Sequence, residues 1–227
     1  MRAAVAARGT ARLLLATGMS QVATLAALVR APVPWERVTA FHLDEYVGLP
    51  ADHPASFRRY LRERFSSQVP LAAMHFLEAE GDLAGVLAEA ARAVRAAPID
   101  VGLVGIGENA HIAFNDPPAD LDTPEPYILV RLAPACRAQQ VREGWFPSPD
   151  HVPERAVTMS VRQILACRAI VSAVPHAVKA DAVRLTLTAP PGPEVPASML
   201  RAHPAWSLHL DPASSAGVPA GTRGGGL

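Results

Sequence analysis

The chain is a succession of short, uniformly apolar runs separated by stretches of helical character. ARLLLAT (11–17), RVTAFHL (37–43), MHFLE (74–78), IDVGLVGIG (99–107), PYILVRL (126–132), RAVTMSV (155–161), RAIVSAVP (168–175) and WSLHLD (206–211) have the length and content of strands. Between them lie SQVATLAALV (20–29), with Ser20 placed as N-cap, and PASFRRYLRERF (54–65), with Phe57, Tyr60, Leu61 and Phe65 at helical spacing. GDLAGVLAEAARAVRAA (81–97), ACRAQQVRE (135–143), RQILACR (162–168) and HAVKADAVRLTL (176–187) continue the pattern. A strand without a polar face must be covered on both sides. The expectation is therefore an α/β fold: a Rossmann-like, doubly wound, mainly parallel sheet with helices on both faces. One domain over 1–211 accounts for the pattern, and 212–227, rich in Ser, Gly and Pro, reads as a disordered tail.

That architecture directs attention to the carboxyl ends of the strands, where such sheets bind ligands. Charge narrows the ligand. Lys plus Arg and Asp plus Glu both number 21, so no net positive field invites nucleic acid or an anionic membrane, although a local basic pocket can hold a small anion. No apolar run approaches the roughly 18 residues of a membrane span. Cys136 and Cys167 form neither a CxxC nor a disulfide framework and read as thiols of a reducing compartment, the cytoplasm. The Arg- and Ala-rich start, MRAAVAARGTARLLLATG, has two readings: a targeting segment, or a helix at 2–8, a turn at Gly9 and a strand. The second is preferred, because LLLA is shorter than the about 7 apolar residues a signal core needs.

Three strand ends carry chemistry. In ATGMSQ (16–21), Thr17-Gly18-x-Ser20 joins a strand to a helix; the turn is either an ordinary N-cap or a phosphate cradle at a helix N-terminus. In GIGENAHIAFNDPP (105–118), the G-x-G-x-x-A string mimics a dinucleotide fingerprint, but Asn115-Asp116-Pro117-Pro118 stops any helix within about two turns, so no nicotinamide or flavin cofactor is expected. What is left is a loop crowding Glu108, Asn109, His111, Asn115 and Asp116, material for proton transfer or for one satisfied loop histidine. In FHLDEYVGLP (41–50), adjacent Asp44 and Glu45 point to opposite sides of an extended chain. One is expected to face the crevice and the other to make structural hydrogen bonds. No second cluster gives His42, Asp44 or Glu45 the spacing of a metal site, so no metal is expected. Arg142 and Lys179, on helices after strand-like segments, are either surface charges or partners of the 17–20 turn in neutralising a phosphate.

LDEYVGLPADHPASF and GIGENAHIAFNDP together resemble the glucosamine-6-phosphate deaminase (isomerase) family, in the superfamily that includes 6-phosphogluconolactonase. The resemblance covers about residues 10–211, with smaller agreements in T-G-x-S, CRAQQVR, HAVKADAV and His203-Pro204. It implies an enzyme that converts glucosamine 6-phosphate to fructose 6-phosphate and ammonia without a cofactor. A related amino-sugar phosphate such as galactosamine 6-phosphate, or a non-catalytic sugar-phosphate sensor, are the alternatives. It implies Asp44 as the base moving a proton from C2 to C1 and His111 as the group assisting ring opening. Asn109 and Asp116 would be partners of that histidine, and Thr17, Gly18, Ser20, Arg142 and Lys179 would hold the phosphate. Three positions depart from the family pattern: Asn109 replaces an Asp, Asp116 a Glu, and Ala110 a Gly. The resemblance also implies a further strand and most of a helix before 11–17, so a trimmed N-terminal edge or a downstream start is expected. A monomer and a homo-oligomer are both open.

Overall fold

A computed structural model describes residues 1–219. The elements in order are α1 (Arg2–Arg8), β1 (Ala11–Leu15), α2 (Val22–Val29), β2 (Val38–His42), β3 (Asp44–Tyr46), α3 (Phe57–Leu61), β4 (Ala73–His75), α4 (Leu83–Arg95), β5 (Val101–Leu103), β6 (Tyr127–Arg131), α5 (Pro134–Arg142), β7 (Arg155–Met159), α6 (Val161–Leu165), β8 (Ile170–Val174), α7 (Ala180–Thr188) and β9 (Trp206–Leu210). The six-stranded sheet runs β4-β2-β1-β5-β8-β9, with every pairing parallel. From β1 the chain winds outward through β2 and β4, and from β5 through β8 and β9 to the opposite edge. The switch point therefore lies between the carboxyl ends of β1 and β5.

The apolar runs fill two cores. Ala11, Leu13 and Leu15 of β1 pack on one face with Leu25 of α2 and with Tyr60 and Leu61 of α3. Leu14 and Ala16 pack on the other with Val94 of α4, Ile164 of α6 and Val183 of α7. Alternate residues of one apolar strand thus enter different cores, so the strand has no polar face. Asp82 caps α4 by accepting the amide hydrogen of Gly85 (3.0 Å). Gly9, at φ 77°, ends α1 in the left-handed conformation.

Several expectations change. The runs at 126–132 and 155–161 are β6 and β7, and they do not enter the parallel sheet. With β3 they form a separate antiparallel sheet in the order β3-β7-β6. Along β6 buried Tyr127 is followed by half-buried and exposed residues, the signature of a strand covered on one face. A third core of Tyr46, Phe57, Phe114, Phe146 and Cys136 lies under this sheet. Ser20 caps no helix: Gly18 precedes a 3-10 turn at Met19–Gln21, and Gln21 stands at the N-cap of α2. Within the expected tail, residues 212–217 form turns. Ser214 is buried and donates its amide hydrogen to Asp211 Oδ1 (2.7 Å), and Val218 packs on the main core. The rest of the expected tail, 220–227, lies outside the described residues. No helix among the described residues is long and apolar enough to cross a membrane.

Candidate active site

At the switch point, the segments following β1 and β5, the start of β3, and α5 enclose a cleft. Its lining includes Thr17, Gly18, Ser20, Asp44, Gly107, His111, Gln140, Glu143 and Lys179. Eight of the nine site positions named in the sequence, from four separate segments, come together here: Thr17, Gly18, Ser20, Asp44, His111 and Lys179 on the wall, with Asn109 and Asp116 behind His111.

The chain leaves the parallel sheet at Leu43 and enters the small one at Asp44, where Met159 donates its amide hydrogen to the Leu43 carbonyl (2.9 Å). Strand alternation then separates the two acids. Glu45 points away from the cleft and is fully buried. It accepts hydrogen bonds from the amides of Tyr46, Phe57 and Arg58, from Ser56 Oγ and from Arg58 Nε. Asp44 faces the cleft, 5% exposed, and among the described residues nothing hydrogen-bonds or ion-pairs with its carboxylate. Burial first, and Glu45 second, push its pKa up to about 8.

His111 is fixed from behind. Its Nδ1 lies 2.6 Å from Asn109 Oδ1 and 3.2 Å from Asp116 Oδ1. Asn109 Nδ2 donates to the same Asp116 oxygen (3.0 Å), and the Ala133 amide donates to the other (3.0 Å). A carboxylate only accepts, so the amide of Asn109 must turn its NH2 to Asp116 and its oxygen to the imidazole. Nδ1 therefore carries a hydrogen. Burial opposes ionisation of Asp116, but the hydrogen bonds from His111, Asn109 and Ala133 prevail and hold its pKa below the usual value. Asn109, which cannot act through charge, becomes the bridge that orders the pair. The imidazole lies flat on Gly107: a Cβ there would meet Cε1 and Nε2 at 2.2 Å. Ala110 and Ala113 hold the loop at φ 62° and 52°, a conformation that costs a side-chain-bearing residue about 1 kcal/mol.

The 17–20 turn forms the opposite wall. Gly18 has φ 93° and ψ 169°, a region open essentially to glycine alone. Tyr60 Oη donates to its carbonyl (2.8 Å), holding the turn from outside. Ser20 Oγ accepts from Gln21 Nε2 (2.9 Å), leaving its own hydrogen free to donate. Lys179, at the end of a 3-10 turn rather than within α7, is 5% exposed. Its ammonium has no hydrogen-bond or ion-pair partner among the described residues. Burial lowers its pKa, opposed by Glu143 and Glu108. Arg142 does not line the cleft. It stands at the rim, half exposed and paired with Glu108.

Four contributors were not singled out in the sequence: Gly107, Tyr60, Gln140 and Glu143. Two adjacent glutamines in an otherwise ordinary helix, Gln139-Gln140, were the available signal, since both are buried in α5. Cys136 and Cys167 are free and buried. His111, Asp116 and Cys136 bring ligand-type atoms within 4.8 Å of one another. The Nδ1 and carboxylate atoms of that group are already committed to the hydrogen bonds above.

A family profile described as "Glucosamine-6-phosphate isomerases/6-phosphogluconolactonase" matches residues 1–208. A glucosamine-6-phosphate deaminase of Exiguobacterium sp. is 35% identical over 204 residues, spanning 88% of this chain and 78% of that protein. One of Rhodopirellula baltica is 37% identical over 215 residues, spanning 88% and 82%. The solved structure of a monomeric glucosamine-6-phosphate deaminase superposes with a TM-score of 0.82 at 28% identity, covering 94% of this chain and 90% of that one. A 6-phosphogluconolactonase from Thermotoga maritima superposes at 0.75 with 17% identity, covering 91% and 87%, a likeness of fold alone.

Proposed function

Because this chain belongs to the family of glucosamine-6-phosphate isomerases and 6-phosphogluconolactonases, we propose that it converts glucosamine 6-phosphate and water to fructose 6-phosphate and ammonia. The observation that carries the reading is a pair of opposite, buried ionisable groups in one cleft, Asp44 and Lys179, each without a partner among the described residues. Isolated buried charges are costly, and these two do not neutralise each other. A ligand with an anion at one end and acidic hydrogen or cationic nitrogen at the other satisfies both.

The phosphate sits among Thr17, Gly18, Ser20 and Lys179. Arg142 joins it only by releasing Glu108. Held at its far end, the sugar lies along the cleft towards Asp44, and the remote binding energy fixes its orientation. His111, with hydrogen on Nδ1, presents Nε2 as the group that moves a proton between O1 and O5 to open the ring. A cationic C2 amino group beside Asp44 favours its ionised form, so an amino sugar helps to generate its own base. Asp44 then takes the C2 hydrogen as a proton, the freed electron pair forms the C1=C2 double bond, and O1 takes the proton that the C2 ammonium gives up, relayed by His111 Nε2. Asp44 returns its proton to C1 while the nitrogen lone pair forms the C2=N bond. Water adds to the resulting C2=N bond and expels ammonia, leaving the ketone.

A coupled ammonia assay on the purified chain, with glucosamine 6-phosphate, galactosamine 6-phosphate and 6-phosphogluconolactone in parallel, tests this. Ammonia release with the first above the second is expected. Tight binding of the sugar phosphates without turnover identifies a sensor instead, and hydrolysis of the lactone alone identifies the sibling chemistry.

A further inference from the structure

Two neighbouring glutamines on α5 have opposite circumstances. Gln139 is fully engaged: its Oε1 accepts the Glu108 amide hydrogen (3.0 Å) and its Nε2 donates to Glu143 Oε1 (2.7 Å). Gln140 is 4% exposed and lines the cleft, yet only one end of its amide is used. Tyr46 Oη donates to Gln140 Oε1 at 2.7 Å. Among the described residues Nε2 of Gln140 has no acceptor.

The direction of that hydrogen bond is fixed by Tyr46. Its ring is fully buried among Phe57, Phe114 and Phe146, with centroids at 4.9, 5.2 and 5.4 Å. Burial first, then nearby acidic groups, push its pKa up, so the phenol keeps its hydrogen. Among the described residues Gln140 is the only hydrogen-bond partner of that hydroxyl. If the amide were reversed, a buried O–H would be left without an acceptor. Gln140 therefore turns its carbonyl to Tyr46 and its NH2 to the cleft, as a donor with no accepting end exposed.

Its place along the cleft identifies what it meets. Tyr46 is two residues beyond Asp44 on β3, so the two project to the same side of the strand. Glu143, one helical turn beyond Gln140, borders the Gly18 turn and lines the same cleft as Lys179. Gln140 thus stands between the Asp44 end and the Lys179 end.

We propose that Gln140 is a specificity-determining residue whose carboxamide NH2 donates to a hydroxyl oxygen in the middle of the bound phosphosugar, at C3 or C4. This rests on the functional reading above, which places C1 and C2 at Asp44 and the phosphate at Lys179. A site built to donate to a substrate oxygen rejects the analogue lacking it, because its buried donor is then left unpaired.

The test uses wild type, Gln140→Leu and Gln140→Glu with glucosamine 6-phosphate and its 3-deoxy and 4-deoxy analogues, and with inorganic phosphate as competitive inhibitor. Gln140→Leu is expected to lower kcat/KM for the parent substrate about 10- to 100-fold. The phosphate inhibition constant should stay within about twofold, a split that general loosening of the cleft would not produce. On one deoxy analogue, wild type and Gln140→Leu should turn over alike, because the contact is already missing. Gln140→Glu keeps the Tyr46 bond and the side-chain volume but presents no donor, so it should show the same losses if the leucine variant folds poorly. Unchanged activity of both variants, weaker phosphate inhibition in step with activity, or equal losses on both deoxy analogues overturns the assignment while leaving the deaminase reading intact. If wild type releases no ammonia from the parent sugar, the functional reading falls and this inference falls with it.

Discussion

If Asp44 is the proposed base, one proton on its carboxyl governs both rate and stability. Its carboxyl, ordinarily near 3.8, is pushed up to about 8 in the free protein, by burial and then by Glu45. At pH 7 about one tenth of the molecules carry the carboxylate, and at pH 6 about one hundredth. If the carboxylate is the base, kcat/KM, which reports the free enzyme, rises about tenfold per pH unit from 6 and levels off above about 8. The stability effect has the opposite slope. Between about pH 4 and pH 8 the folded chain holds a proton that the unfolded chain has released, so stability falls as pH rises through this window. The slope from this group is at most about 1.4 kcal/mol per unit, on the order of 4 kcal/mol between pH 4 and pH 7. Asp44→Asn removes the titration and keeps the shape. Urea unfolding of both proteins at pH 5, 6, 7 and 8 isolates the term as a difference of slopes, and kcat/KM from stopped ammonia assays follows the rate. Parallel stability curves for the two proteins, or a wild-type kcat/KM flat between pH 6 and 8, would refute the argument.

Other parts of the site make separate predictions. Glu45→Ala strips an acceptor from three amides, a serine and Arg58, and should destabilise the fold by about 3–5 kcal/mol; a loss under 1 kcal/mol by denaturant titration would mean these bonds are easily replaced. Gly107→Ala places a methyl group into the His111 ring and should cost on the order of 100-fold in kcat, with near wild-type activity counting against the packing described. Asp116→Ala should slow the cyclic substrate far more than a ring-opened analogue, and equal slowing of both would remove Asp116 from ring opening. Ala110→Gly relieves a left-handed alanine and should raise stability by about 1 kcal/mol, seen as a rise in Tm of about 2–4 °C; no rise would show that the loop carries no backbone strain.

The parallel sheet was legible because its strands are buried on both sides and so announce themselves as continuous apolar runs; Leu13, Leu14 and Leu15 enter two different cores. The small antiparallel sheet was not, because β3 is three residues long and its residues Asp44 and Glu45 have no strand-like composition. Only its pairing with Val157 and Thr158 makes it a strand. The contrast between Asp44 and Glu45 was predictable from alternation, since a register of two decides which carboxyl enters the cleft. Ser20 failed as a cap because Gly18 delays the helix by one 3-10 turn, a backbone choice that residue type does not encode. Arg142 sat on the expected helix, but its pairing with Glu108 joins positions 34 apart. Contacts of that kind, like the Tyr46–Gln140 bond, depend on how loops from different strands meet.

If Asp44 is the proposed base, it carries a single hydrogen from C2 to C1 of the open-chain amino sugar. The direct measurement is turnover of glucosamine 6-phosphate labelled with deuterium at C2, with fructose 6-phosphate examined by NMR. Ammonia and fructose 6-phosphate are expected in equal amounts, with part of the deuterium at C1 of the product and no product from Asp44→Asn. Full activity of that variant, or deuterium lost wholly to solvent while C1 acquires only solvent hydrogen, would contradict that role.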